Sequence, residues 1–261
     1  MRVGFLGCGN MGGALAAAVA RCEGHRILLC DLDQGKAASL RDRIGENAEI
    51  CDISALSDCD ALFLGVKPNG AKEALVSLGE GFCGLIISMV AGMQTKTVAQ
   101  VAKDARIIRI MPNTPASVGD GMILYSLGAT ATEEDGEALC SLLAKAGELC
   151  RLDEELIDKA TAISGCGPAF VFSFMEAMIE GGLSIGLSYE LSRRLAAQTV
   201  LGAASYLKQS DRTPDELCTA VCSPGGSTIE GVKKLREHDL KATVIDAVNA
   251  SYEKTVKLGK G

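Results

Sequence analysis

The stretch from Arg2 to Leu15, "RVGFLGCGNMGGAL", decides the fold. An apolar run of strand length ends at Gly7, and a run of small residues suited to a helix follows from Met11. Between them Gly7, Gly9 and Gly12 stand in the pattern G-x-G-x-x-G. The first glycine permits a tight turn. The second lets the backbone approach a pyrophosphate, and the third lets the helix pack closely on the strand. The opened helix then offers free N–H groups and a positive dipole end to phosphates. Glycine-rich turns are common, so the weight lies in the setting: a strand before, a helix after, and a second strand, "HRILLCD", close behind. Glycines at 7, 9, 12 and 13 make this a poor signal-peptide core.

The alternation continues outward. "QGKAASLRDRI" is helical, "ALFLGVK" a strand and "GAKEALVSLG" a helix, while "GLIISMVA", "ARIIRIMP" and "GMILYSLG" read as further strands. Such alternation predicts an α/β Rossmann-type domain with a mostly parallel sheet and helices on both faces. "EEDGEALCSLLAKAG" is an amphipathic helix, and Leu149 to Leu152 form a last edge strand. Beyond them the pattern is helical throughout. The expected organisation is a dinucleotide-binding domain over 1–154 and an all-α domain for dimerisation and substrate binding over 155–261. Two long stretches of the second part, "PAFVFSFMEAMIEGGLSIG" and "SRRLAAQTVLGAASYLKQ", are apolar over much of their surface. A region this small would struggle to bury them alone: either they pack on the first domain or two chains interlock, and the second is the favoured reading, an obligate homodimer.

Composition narrows the partners. The formal charge of −7 gives no broad basic face for nucleic acid, and the absence of Trp removes one stacking platform. Glu176 and Glu180 interrupt the most apolar stretch, so it reads as a buried helix rather than a membrane span. Eleven cysteines without a Cys-x-x-Cys pair, and only two histidines, give no metal-ligand spacing. The thiols read as reduced and mostly structural, in a cytoplasmic protein.

Three further positions lie at strand ends, where open sheets of this type bind ligands. Asp31 closes the second strand, nineteen residues past Gly12. A carboxylate there suits ribose hydroxyls and repels a 2′-phosphate, which favours NADH over NADPH unless Lys36 or Arg41 receives that phosphate. Capping of the next helix is the competing role for Asp31. Lys67 precedes Pro68, which holds it extended over the cleft. Asn113, in "MPNTP", offers a donor and an acceptor that match a nicotinamide carboxamide; an ordinary Asx-turn is its alternative.

Taken together, "GFLGCGNMGGAL", "LFLGVKP", "IIRIMPNTP", "AISGCGPAFVF", "EGGLSIGL" and "VCSPGGSTIEGV" resemble the pyrroline-5-carboxylate reductase family, almost end to end. The last segment is the most specific. The resemblance implies reduction of a cyclic imino acid, 1-pyrroline-5-carboxylate, to proline by hydride transfer from NAD or NADP in reduced form. It implies cofactor contacts from Leu6, Gly7, Cys8, Gly9, Asn10, Met11 and Gly12 in the first turn. Asp31, Gly65, Val66, Lys67, Pro68 and Asn113 complete that set. It also implies a homodimer at least, with rings of dimers known in the family. Two positions depart from the family pattern: Asp31 stands where a small polar residue or Asn is frequent, and Cys166 where Ser is frequent.

"SPGGSTIEG", Ser223 to Gly231, then acquires a purpose. Gly225 and Gly226 let backbone N–H groups turn toward one point, and the helix starting near Thr228 presents its positive end there. A substrate carboxylate is held without a buried cation. Gly225, Gly226, Ser227 and Thr228 are the expected substrate contacts, and the resemblance implies that the Thr228 hydroxyl serves the ring nitrogen. Ser227 or Thr228 acting as an ordinary N-cap is the competing reading. A dehydrogenase of another imine or a β-hydroxyacid, and a non-catalytic NAD(H) sensor, are the rival functions.

Overall fold

The computed structural model describes residues 1–79 and 81–258. The chain divides into two compact units. One spans Met1–Cys166 and takes in the chain end from Ser251, and the other spans Gly167–Ala250.

The first unit is built on an eight-stranded sheet in the order β3-β2-β1-β4-β5-β6-β7-β8. Its strands are β1 (Arg2–Leu6), β2 (Arg26–Cys30), β3 (Ala48–Ile50), β4 (Ala61–Leu64), β5 (Leu85–Ser88), β6 (Arg106–Met111), β7 (Gly121–Leu127) and β8 (Gly147–Arg151). Every neighbouring pair is parallel except β6 and β7, which are antiparallel. The order reverses between β1 and β4, which places the carboxyl ends of those strands beside the first glycine turn.

Strand periodicity divides the core between the two faces. Val3, Phe5, Ile27, Leu29, Phe63, Ile87 and Ile108 bury one face with Leu15 and Val19 of α1 (Asn10–Ala20), Leu40 of α2 (Gln34–Ile44) and Leu139 of α5 (Glu133–Leu142). The rings of Phe5 and Phe63 stack there with centroids 4.5 Å apart. Leu28, Leu62, Leu64, Ile86 and Ile107 bury the other face with Leu75 of α3 (Pro68–Leu78) and Val98 of α4 (Thr95–Val101). Strand β3 and helix α4 have no counterpart in the sequence reading. Each is short, with three and seven residues, too few for a period to emerge.

Helix α6 (Glu154–Ser164) starts at residue 154, where the helical part was expected to begin, yet groups with the sheet. The physical reason is polar. The Arg109 guanidinium, 1% exposed on β6, donates to Asp158 at 2.6 Å and lies 3.7 Å from Glu154. Glu154 in turn accepts from the backbone N–H and hydroxyl of Thr95 at 2.8 and 2.7 Å. Asn113 donates to the Ser164 carbonyl at 2.8 Å. The helix is therefore held at its first turn, its middle and its last residue.

The second unit holds α7 (Gly167–Ser184), α8 (Tyr189–Lys208), α9 (Pro214–Ala220), α10 (Ser227–Glu237) and most of α11 (Leu240–Leu258). Helix α7 buries no residue fully: Phe172 and Phe174 are 61% and 42% exposed. Gly182 of α7 and Ser192 of α8 mark their close approach, since a Cβ on Gly182 would lie 2.3 Å from the Ser192 hydroxyl oxygen. An apolar groove of about 1230 Å³ opens in this unit, lined by Phe174, Met178, Tyr206, Leu217, Leu235 and Val244 among others. By length and composition alone, the stretch Glu154–Ser184 is long and apolar enough to cross a membrane.

Candidate active site

The turn after β1 owes its shape to close backbone contacts. Gly7 has φ +106°, and a Cβ there would lie 2.6 Å from the Gly65 carbonyl oxygen. Its N–H donates to the Cys30 carbonyl at 2.8 Å, while the Gly65 N–H donates to Leu6 at 2.8 Å. The ends of β1, β2 and β4 are thereby laced together. Gly12 sits over the same point, where a Cβ would fall 2.1 Å from the Gly7 carbonyl oxygen. Gly9 is the N-cap of α1 and makes no side-chain cap, and no acidic residue occupies the first turn. The helix N-terminus is left open to an anion.

Asp31 reaches back to this turn. One carboxylate oxygen accepts from the Cys8 N–H at 2.6 Å and the other from the Asp33 N–H at 2.8 Å. The helix-capping role belongs to Asp33, which accepts from Gly35 and Lys36. Asp31 is thus fixed beside the glycine turn. The Cys8 thiol is buried, and burial first, then the Asp31 charge, pushes it up to about 12. It is a packing group, not a nucleophile.

Lys67 has φ −65° and ψ 148°, extended as the following proline requires, and is the N-cap of α3 with Pro68 in the first turn. Its side chain is exposed, as are those of Pro68 and Asn10, while Gly65, Val66 and Met11 are half-buried and Leu6 is buried. The amide of Asn113 is committed to the protein: Nδ2 donates to Ser164, and Oδ1 accepts from the Met122 N–H at 2.9 Å. One N–H and one lone pair remain for any other partner.

A cleft of about 600 Å³ joins the glycine turn to α2, lined by Cys8, Gly9, Asn10, Lys36, Ser39 and Arg43 among others. The sequence reading considered Lys36 but not Ser39 or Arg43. Their spacing of three and four residues along α2 puts all three on one face, a signal that was available. Arg43 is anchored there by a 2.8 Å bond to the Gly13 carbonyl.

In the second unit, Ser223 to Gly226 form a turn closed by Gly226 N–H donating to the Ser223 carbonyl at 3.0 Å, with Gly225 at φ +71°. Gly226 is the N-cap of α10, and no side chain caps that helix. Ser227 and Thr228 are therefore first-turn residues rather than caps, and both are exposed. The only acidic residue in the first turn, Glu230, pairs with Lys233 at 2.7 Å. The arrangement offers free N–H groups, a positive dipole end and two hydroxyls, which suit a carboxylate beside a basic nitrogen. Neither histidine belongs to this turn or to the glycine loop. His238 follows the last residue of α10, and His25 precedes β2, its protonated form disfavoured by burial and by the N-terminal charge. Among the described residues no group of three or more His, Cys, Asp or Glu could hold a metal ion.

Comparison with known proteins falls on the same two parts. The family model for pyrroline-5-carboxylate reductase dimerisation matches residues 154–258. A second, described as NADP oxidoreductase coenzyme F420-dependent, matches residues 2–92. A pyrroline-5-carboxylate reductase of Aquifex aeolicus is 39% identical, covering 99% of this chain and 97% of that protein. The Arabidopsis thaliana pyrroline-5-carboxylate reductase is 34% identical, over 99% and 96%. The solved structure of Plasmodium falciparum pyrroline carboxylate reductase with NADP bound superposes with a TM-score of 0.86 at 30% identity, over 99% and 98% of the two chains.

Proposed function

The chain belongs to the pyrroline-5-carboxylate reductase family, and from that premise we infer that it reduces 1-pyrroline-5-carboxylate to proline with a nicotinamide dinucleotide. The observation that carries this to the level of residues is the uncapped N-terminus of α10, with Thr228 exposed above the Gly225-Gly226 turn. When bound, the reduced cofactor supplies the hydride that the imine carbon accepts. The glycine turn at Gly7 to Gly12 holds the pyrophosphate by backbone N–H groups, and Lys67 and Pro68 border the same strand ends. The α10 N-terminus holds the substrate carboxylate. Thr228 presents its hydroxyl to the ring nitrogen, as hydrogen-bond partner or proton relay. A protonated imine is already electrophilic, so positioning supplies most of the acceleration, and a site without histidine is sufficient. Asn113 acts in this scheme by holding the "MPNTP" turn against α6 and β7, with its remaining N–H and lone pair for the carboxamide.

NADH is the preferred cofactor in this reading, because Asp31 is fixed beside the ribose end of the turn and repels a 2′-phosphate. Lys36, Ser39 and Arg43 face the same cleft, and dominance of those groups would appear as a preference for NADPH. Two copies at least assemble through the helices of the second unit, burying α7 against a partner rather than in lipid; a ring of dimers would be seen in the same sizing measurement. Eleven free cysteines fit a reducing, cytoplasmic setting.

The test is loss of the near-ultraviolet absorbance of NADH or NADPH when purified protein meets pyrroline-5-carboxylate. Steady loss establishes imine reduction. Absence of turnover in protein that binds cofactor overturns it in favour of another substrate or a sensor. Thr228→Ala should lower kcat by about a hundredfold or more with cofactor affinity unchanged; wild-type kinetics would remove Thr228 from the site.

A further inference from the structure

Two cysteines stand immediately before the substrate turn. Cys218 lies in α9 and Cys222 follows its end by two residues, directly ahead of Ser223. The chain is still wound helically here: the Val221 N–H donates to Leu217 at 3.3 Å and the Cys222 N–H to Thr219 at 3.1 Å. A spacing of four residues on such a turn brings the two Cβ atoms about 5–6 Å apart on one face. Burial first, then the neighbouring Cys218 sulfur, raises Cys222 above the usual thiol range. Both residues are half-buried, unlike Cys8 and Cys59, which are packed inside the first unit. Cys218 also lines the apolar groove, whereas Cys222 does not.

We propose that Cys218 and Cys222 are a reversible disulfide site whose closure distorts the Ser223–Gly226 turn and so lowers imine reduction. The coupling to activity rests on the reading that this turn receives the substrate.

Hydrogen peroxide is the oxidant. The Cys218 thiolate attacks one peroxide oxygen, forming an S–O bond as the O–O bond breaks. The departing hydroxide takes up a proton and leaves as water. The Cys222 sulfur, losing its proton, then attacks the sulfenic sulfur, the S–S bond forms, and the expelled hydroxide takes up that proton and leaves as a second water. Two thiols and one peroxide become one disulfide and two waters, the two sulfurs having supplied the two electrons. A dithiol such as dithiothreitol reverses the step by exchange.

Geometry turns this bond into a conformational change. A disulfide requires its Cβ atoms at about 3.5–4.5 Å, so they must close by about 1–2 Å from helical spacing. Cys218 is held within α9 by its helical bonds, whereas Cys222 lies outside the helix and next to a glycine turn. The displacement therefore falls on Val221 to Ser223. Gly226 sits against this point: a Cβ on it would be 2.5 Å from the Ser223 hydroxyl oxygen. Moving Ser223 consequently moves the N-cap of α10.

The test uses the full-length protein treated with hydrogen peroxide, blocked with iodoacetamide and digested with trypsin. Both cysteines fall in one peptide, Thr213 to Lys233. The expected product is that peptide lighter by two hydrogens and unalkylated, with kcat/KM for the imine down by about tenfold or more, because displacements near 1 Å at a positioning group cost up to about a hundredfold. Cofactor affinity stays unchanged, and dithiothreitol restores activity. Cys218→Ser and Cys222→Ser each abolish the two-hydrogen loss and protect activity. A peptide that remains alkylated, or carries sulfinic acid instead, overturns the site. A disulfide that forms without altering kcat/KM overturns its coupling to the turn, whereas wild-type kinetics in Thr228→Ala would overturn the substrate reading itself.

Discussion

Gly12 and Gly7 share one small volume, and that crowding sets the shape of the turn after β1. A methyl group on Gly12 would fall 2.1 Å from a backbone oxygen, which no rotamer change relieves. Gly12→Ala should therefore weaken NADH binding by about tenfold or more, with a stability loss of about 1–3 kcal/mol. Because the chain has no Trp, the nicotinamide's own fluorescence is the readout. The thiols give a second prediction at this scale. Burial is the first cause raising Cys8 and Cys51 to about 12 and Cys59 to about 11, from an ordinary value of 9.0. Between pH 9.0 and these values the folded chain keeps protons that the unfolded chain releases. Stability is thus fully present below the ordinary value and falls as pH rises toward 11–12. Urea unfolding across that range should show the decline, and Cys59→Ala should flatten it.

Helix α6 shows what an element needs in order to belong to a sheet rather than to the helices that follow it. Its attachments are charged and almost dry on one side only: Arg109 is 1% exposed, whereas Asp158 is 31% exposed. Removing Asp158 leaves a buried guanidinium with only the longer contact to Glu154. Removing Arg109 leaves two carboxylates that water can reach. Asp158→Ala should therefore cost about 2–3 kcal/mol, at or below the lower end of the range for broken buried pairs because of that exposure, and Arg109→Met should cost less. Thermal unfolding of the two variants checks the order; equal losses, or the reverse order, would contradict it. None of this was visible in the sequence, where Arg109 reads as one of two arginines in an otherwise apolar strand. Helix α10 is the contrary case. Its start was legible from "SPGG", because proline and paired glycines act within the turn that contains them.

For the whole molecule, the second unit carries exposed apolar faces within the part of the chain that matches a dimerisation family. Phe174, Tyr206 and Val244 line a groove wide enough to need covering, in a part of the chain that matches a dimerisation family. Val244→Asp should place a charge in that surface and dissociate the assembly. Analytical ultracentrifugation should then show monomers, with imine turnover largely lost and NADH binding retained. A dimer of unchanged size would reject this groove as the interface.

What the sequence by itself determined is whatever depends on near neighbours along the chain. That includes the glycine turn between strand and helix, the two-residue alternation dividing the sheet's faces, the extended Lys67 before Pro68, and the turn ahead of α10. Each rests on sterics and hydrogen bonds acting over a few residues. Tertiary structure alone decided the rest: the commitment of Asn113 to Ser164 and Met122, the union of Arg109 with Asp158, the bond that Asp31 accepts from the Cys8 N–H, and the cleft shared by Ser39 and Arg43. In these cases a side chain had a choice of partners, and the docking of distant elements brought one of them within hydrogen-bonding distance.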